Sequence, residues 1–241
     1  MSKSIRDILA RRNDLSTFVV HLTKDGNGKS ARDNLVDIVH AGKIEARNAH
    51  GHGIYNYSNR PRFPLGAYKA VCFTETPLEY IYLFTEEIIE DRSQQFENYG
   101  IAITKAIARK TGLNPIMYVD MTPGHDWEIA HALNAIIEEA LTSDIPADHP
   151  IFKIAPFIEQ MGTWKSGKKE FWWEREWRKV DYYKLPDTYI VICPQDEQSH
   201  ILQNIPEEKR TKLRFIDATW GLEEIIARLA GFVDEDIHLF K

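Results

Sequence analysis

The feature that most constrains this chain is the run Phe171-Trp172-Trp173-Glu174-Arg175-Glu176-Trp177-Arg178. It sets three of the six tryptophans among two carboxylates and two guanidinium groups. Side chains of an extended strand alternate between its two faces. A strand here therefore predicts Trp172, Glu174, Glu176 and Arg178 on one face, and Phe171, Trp173, Arg175 and Trp177 on the other. Carboxylates among aromatic rings are costly to desolvate unless something pairs or uses them. Two readings stay open. Either this is an edge strand whose Glu and Arg side chains pair with each other, or it presents carboxylates to a ligand; structural ion pairs imitate functional ones.

Around this run, short strands and short helices alternate. β-branched and aromatic enrichment predicts strands at residues 16–23, 43–46, 70–75, 99–103, 116–119, 189–194 and 213–217. Helical spacing predicts a basic helix over 3–14 and one from Ser30, a plausible N-cap, to a stop at Gly42. Further helices are expected from Pro77 (with Leu78, Ile81, Tyr82 and Phe84), over 105–110, 127–141, 149–161 and 197–205, and at 222–229. Residues 47–69, rich in Gly, Asn, Pro, His and Tyr, show no period and predict a functional loop or disorder. The loops are too uneven for a regular doubly wound sheet. The expected fold class is α+β, one domain over 1–241 with a mixed, partly split sheet around a cleft.

Bulk properties narrow the function classes. A net charge of -6 argues against coating nucleic acid through overall charge, though a local basic groove stays compatible with it. Cys72 and Cys193 lie in apolar runs and read as small core residues rather than a disulfide or metal framework. No stretch reaches the roughly 18 apolar residues of a membrane helix, and the N-terminus has no apolar signal core. No membrane partner and a cytoplasmic location are the expectations.

There is no Walker loop, GxGxxG after a strand, HExxH, zinc spacing or Gly-x-Ser-x-Gly elbow. His50-Gly51-His52 lacks a third ligand at set spacing, so no metal is expected. Two candidates remain. His21 and Thr23 project from one face of the first strand and suit a ribose hydroxyl or a carboxamide; the alternative is that His21 is a satisfied structural histidine. Glu174 and Glu176 suit stabilisation of an oxocarbenium-like centre and orientation or deprotonation of an acceptor.

These stretches resemble two known groupings. His21-Leu22-Thr23, Asn34-Leu35, Ile38 and Gly42-Lys43-Ile44 look like the N-terminal pattern of DarT-type ADP-ribosyltransferases. Val71-Cys72-Phe73-Thr74-Glu75-Thr76-Pro77-Leu78, Tyr99-Gly100-Ile101 and Trp173-Glu174-Arg175-Glu176-Trp177-Arg178 look like the AbiGi family of phage-resistance proteins, over roughly residues 16–195. The resemblance implies an ADP-ribosyltransferase-like fold that takes NAD as substrate. It implies Glu176 as the catalytic carboxylate and Glu174 as its Glu-x-Glu companion. His21 and Thr23 would hold the nicotinamide ribose end. Arg32, Arg47 and Arg60 are candidates for the NAD-contacting arginine, and Arg32 and Tyr82 join the NAD-holding set.

The expected function is phage defence by transfer of ADP-ribose from NAD to a nucleic-acid or protein acceptor, with release of nicotinamide. The alternative is a non-catalytic antitoxin or sensor of the same fold, partnering a toxin or phage protein. The AbiGi description as antitoxin-like favours that alternative. So do the mild acidity and the exposed-looking aromatic stretch from Tyr55 to Tyr68. A nuclease using His21 and Glu176, with Lys168, Lys169 and Arg178 on phosphates, is a third reading.

Overall fold

The computed structural model describes residues 14–87, 96–125, 128–165, 167–210, 213–233 and 237. The basic helix expected over 3–14 lies outside them, Asp14 apart. In chain order the strands are β1 (Phe18–Leu22), β2 (Lys43–Glu45), β3 (Ala70–Phe73), β4 (Gly100–Thr104), β5 (Asn114–Pro115), β6 (Met117–Asp120), β7 (Ile158–Trp164), β8 (Gly167–Lys169), β9 (Trp177–Val180), β10 (Tyr182–Lys184), β11 (Ile190–Ile192) and β12 (Arg214–Ile216). The longer helices are α1 (Ala31–Ala41), α2 (Glu128–Thr142) and α3 (Leu222–Ala230). The fold is mixed α+β with several small sheets, and it divides into two compact units. One unit comprises Met1–Lys43, Phe73–Lys110 and Lys184–Lys241; the other comprises Ile44–Cys72 and Thr111–Tyr183.

The first unit is built on a sheet of order β1-β4-β11-β12. β4 runs antiparallel to β1 and β11, and β11 runs parallel to β12. Ile101, Ala102, Val191 and Ile192 are fully buried, as expected of continuous apolar strands covered on both faces. β1 and β4 lie so close at Gly100 that a Cβ there would stand 2.4 Å from the His21 carbonyl oxygen. Helix α1 starts where the Asp33 N–H donates to the Ser30 hydroxyl at 3.1 Å. It ends at Gly42, left-handed at φ 69, whose N–H returns to the Ile38 carbonyl. Both ends match the sequence expectation, and Leu35, Ile38 and Val39 form the buried face.

The second unit packs α2 over β6, β7 and the short segments before them. Ala130, Leu133, Ile137 and Ala140 recur at three- and four-residue steps and meet Tyr57, Tyr68, Phe152 and Ile158 in one core. β6 pairs with β7 in parallel and β8 folds back on β7 antiparallel. A separate sheet has the order β3-β9-β5, and β2 pairs with β10. Part of the stretch expected as a functional loop is therefore core. Tyr57 and Tyr68 are buried, whereas Tyr55 is 61% exposed. Cys193 is buried and Cys72 half-buried, and neither is in a disulfide.

Three local expectations fail. The helix expected over 149–161 shrinks to Ile151–Ile154 and a 3-10 turn, Ala155–Phe157, before β7 takes over. Pro156 has no N–H with which to continue a helix. The helix after Pro77 is broken into a 3-10 turn, Leu78–Tyr80, and a widened turn, Leu83–Glu87. The run 171–178 is not one strand. Trp172–Glu174 is a 3-10 turn, Arg175 is left-handed at φ 47, and β9 begins at Trp177.

Gly100→Ala tests the close approach in the first unit. The added Cβ should cost about 1–3 kcal/mol, read as a lower urea midpoint at unchanged slope. An unmoved midpoint would show that β1 and β4 part without cost.

Candidate functional site

The second unit organises its charged side chains around one guanidinium. Arg178, the second residue of β9, is 1% exposed, so its charge has lost its water and must be met by protein groups. Its Nε and Nη2 donate to the two carboxylate oxygens of Glu176, each at 2.8 Å. Nη2 also donates to Glu159 Oε2 at 2.6 Å, and Nη1 donates to the Pro156 carbonyl at 2.7 Å. This is the planar, two-pronged recognition that a lysine cannot reproduce. Glu159, from β7, is met on its other oxygen by Lys169 Nζ of β8 at 2.8 Å. Lys169 in turn donates to the Tyr55 hydroxyl at 2.9 Å, at the exposed edge of the cluster.

The backbone prepares this arrangement. The turn at Trp172–Glu174 is closed by the Glu174 N–H on the Phe171 carbonyl and the Arg175 N–H on the Trp172 carbonyl. Left-handed Arg175 then redirects the chain into β9. Glu176 is held through both of its main-chain polar groups: its N–H donates to the Tyr118 hydroxyl at 3.2 Å and its carbonyl accepts from the Ile116 N–H at 3.0 Å. Glu174 and Glu176 are therefore not alternating residues of one strand. Glu174 is half-buried at the end of the turn, and Trp172 beside it is 56% exposed. The pairing of Glu176 with Arg178 is the ion pair that one of the two sequence readings anticipated.

Burial alone would raise the Glu159 carboxyl, but the charges of Arg178 and Lys169 outweigh it and bring it to about 2. Burial would lower Lys169 and Arg178; Glu159 raises the first, and Glu176 and Glu159 raise the second well above the usual range. His50 is pushed down by burial and by the neighbouring Arg178, which favours the neutral imidazole. Burial likewise lowers His52, whose Nε2 stands 3.0 Å from Asn134 Oδ1.

Of the other sequence candidates, Arg47 and Arg60 belong to the second unit, and His21, Thr23, Arg32 and Tyr82 to the first. His21 is half-buried on β1, its ring tilted against Phe73 at 5.5 Å between centroids. Thr23 is buried, and its hydroxyl lies 2.9 Å from the Ala31 carbonyl and 3.2 Å from that of Tyr99, joining the start of α1 to the strand entrance. Arg32, on the first turn of α1, reaches Glu197 at 3.7 Å and lines an open recess of about 390 Å³. Asp25, Ser30, Glu97, Tyr99 and Glu197 line it too. Tyr82 is half-buried, its carbonyl accepting from the Thr85 hydroxyl at 3.2 Å.

Sequence reasoning missed Glu159, Lys169 and Tyr55 as members of the network around Arg178. The available signal was a lone carboxylate in the run Pro156-Phe157-Ile158-Glu159-Gln160-Met161. Reading that run as helix hid the side to which Glu159 points. Among the described residues no group of three or more His, Cys, Asp and Glu side chains is placed to hold a metal ion, and no helix is long and apolar enough to cross a membrane.

Comparison with protein families matches residues 50–225, nearly three quarters of the chain, to a model described as abortive phage resistance protein AbiGi, antitoxin. No curated protein matches. Among solved structures, DarT of Thermus sp. 2.9 in complex with NAD+ aligns at 15% identity and a TM-score of 0.36. That alignment covers 83% of this chain and 95% of that one.

The network has a signed pH dependence. The folded-state pKa of Glu159, about 2, lies below its reference value of 4.5, so the unfolded chain binds more protons in this window. Its stabilisation, on the order of 3 kcal/mol, is full above about pH 4.5 and is lost as pH falls toward 2. Thermal melts should lose stability over that window more steeply in wild type than in Glu159→Gln; parallel curves would remove Glu159 from the account. Arg178→Met strands two carboxylates and should cost about 3–5 kcal/mol at neutral pH, measured by urea denaturation.

Proposed function

The chain belongs to the AbiGi family of abortive phage resistance proteins, and from that premise we propose that it serves phage defence by transferring ADP-ribose from NAD. The acceptor is a nucleic acid or a protein, and nicotinamide is released. The observation that carries this reading is Glu176. It is a carboxylate 15% exposed, held in one orientation by a guanidinium that takes both its oxygens. A fixed negative group needs no reorganisation when positive charge develops on a ribose ring, which is how electrostatic preorganisation lowers a barrier.

In this reading the bond between ribose C1′ and the nicotinamide nitrogen breaks, and nicotinamide leaves with the electron pair. A lone pair of the acceptor forms the new bond to C1′, and the acceptor's proton passes to a base. Glu176 stabilises the oxocarbenium-like centre, and Glu174 orients or deprotonates the acceptor. Thr23 contributes by fixing Ala31 and Tyr99 through its hydroxyl. The order of the His-x-Thr and Glu-x-Glu stretches, which resembles that of DarT-type transferases, supports these roles. The reading treats residues 1–241 as one ADP-ribosyltransferase-like domain acting in the cytoplasm, without a metal.

A second reading has its own observation. With both Glu176 oxygens bonded to Arg178, the pair is also a structural tie, and the matched family is described as an antitoxin. The chain would then be a non-catalytic partner of a toxin or phage protein.

One pair of measurements separates the two. Purified protein with NAD, in the presence of DNA, RNA or lysate, should release nicotinamide, and Glu176→Gln should lower that rate by at least about a hundredfold. Phage protection should fall with it in plaque assays. If wild type releases nicotinamide no faster than the variant while both protect cells, the antitoxin reading holds instead.

A further inference from the structure

One cation in the second unit serves two anions. Arg178 directs two N–H donors to Glu176, one to Glu159 and one to the Pro156 carbonyl. Glu159 is 8% exposed in its side chain and is turned toward Arg178 by Lys169, which takes its other oxygen. An isolated Glu176–Arg178 pair would be close to neutral when seen by a substrate. A second carboxylate on the same guanidinium draws on that positive charge and leaves Glu176 with more of its own. The Pro156 carbonyl dipole acts in the same direction. The fork also leaves Glu176 little freedom to rotate, because both its oxygens are engaged by one rigid plane.

We propose that Arg178 and Glu159 are positioning residues for Glu176: Arg178 sets the orientation of its carboxylate, and Glu159 keeps Arg178 from cancelling its charge. The inference rests on the ADP-ribosyl-transfer reading and deepens it, by naming the groups that hold Glu176. Glu159 is hydrogen-bonded to Arg178, Lys169 and the Gln160 N–H. Arg178 is the group it shares with Glu176 and carries its effect there. Lys169, with its ammonium on Glu159 and on the exposed Tyr55 hydroxyl, closes the chain of charges at the surface.

The test uses the full chain with Glu159→Gln and Arg178→Lys. Steady-state nicotinamide release should show a lower kcat in Glu159→Gln, by about tenfold or more, with KM for NAD changed by less than about twofold. Arg178→Lys, which keeps the charge and loses the fork, should lose about a hundredfold in kcat. A structural role alone would lower the melting temperature of Glu159→Gln and leave kcat intact; that result overturns the proposal. A second readout does not need turnover. The Nε–H resonance of Arg178 should exchange slowly with solvent and shift in both Glu176→Gln and Glu159→Gln. If wild type releases no nicotinamide, the transfer reading fails and this resonance alone decides the positioning. An unchanged signal in Glu159→Gln then overturns it.

Discussion

The second unit depends on the burial of one guanidinium. A charge removed from water is tolerated only where geometry returns its hydrogen bonds, and removing one partner of such a group costs more than the interaction contributes. Arg178 meets that condition by drawing on Glu159 from β7, Glu176 from the entry to β9, and the Pro156 carbonyl from the turn ahead of β7. The turn, the strand entry and β7 are therefore not independent. Each must be placed for the other two to be acceptable. The 3-10 turn at Trp172–Glu174 and the left-handed Arg175 are the local cost of bringing Glu176 to the fork.

The first unit is held differently. Its central strands bury Ile101, Ala102, Val191 and Ile192 without charge, and polar side chains act at their ends. Thr23 shows the pattern: a buried hydroxyl satisfied by two main-chain carbonyls stabilises a junction while the apolar strands supply most of the burial. Such a unit tolerates exchange of one core residue for another of similar size. The Arg178 network does not, because each member there is the counter-charge of another.

That contrast explains what could be read from residues alone. Continuous β-branched runs identify β1, β4 and β11, and Ser30 and Gly42 bound α1, because burial and capping are local signals. Helix α2 follows from the spacing of Leu133 and Ile137 in the same way. The candidate site was legible only as an oddity, carboxylates and guanidinium groups among tryptophans. Its organisation was not, because Glu159 and Arg178 meet across 19 residues. A proline in the turn just ahead of β7 also reverses the reading of Glu159 from helix to strand. Periodicity reports which face a side chain takes, not which distant group it meets.

The ion pair and the functional carboxylate are then not opposed readings of Glu176. A catalytic carboxylate must be ordered, and in a protein an ordered carboxylate is one that something holds. What separates a holder from a neutraliser is the charge left over once the hydrogen bonds are counted. Arg178 alone would leave almost none. Arg178 shared with Glu159 leaves a deficit of positive charge at its centre, and Lys169 restores the balance only at the exposed edge, beside Tyr55. Glu176 is thus held by a group whose charge is already partly taken. Under the proposed transfer of ADP-ribose, that asymmetry would suit a site poised against a developing cation, and a surface ion pair has no need of it.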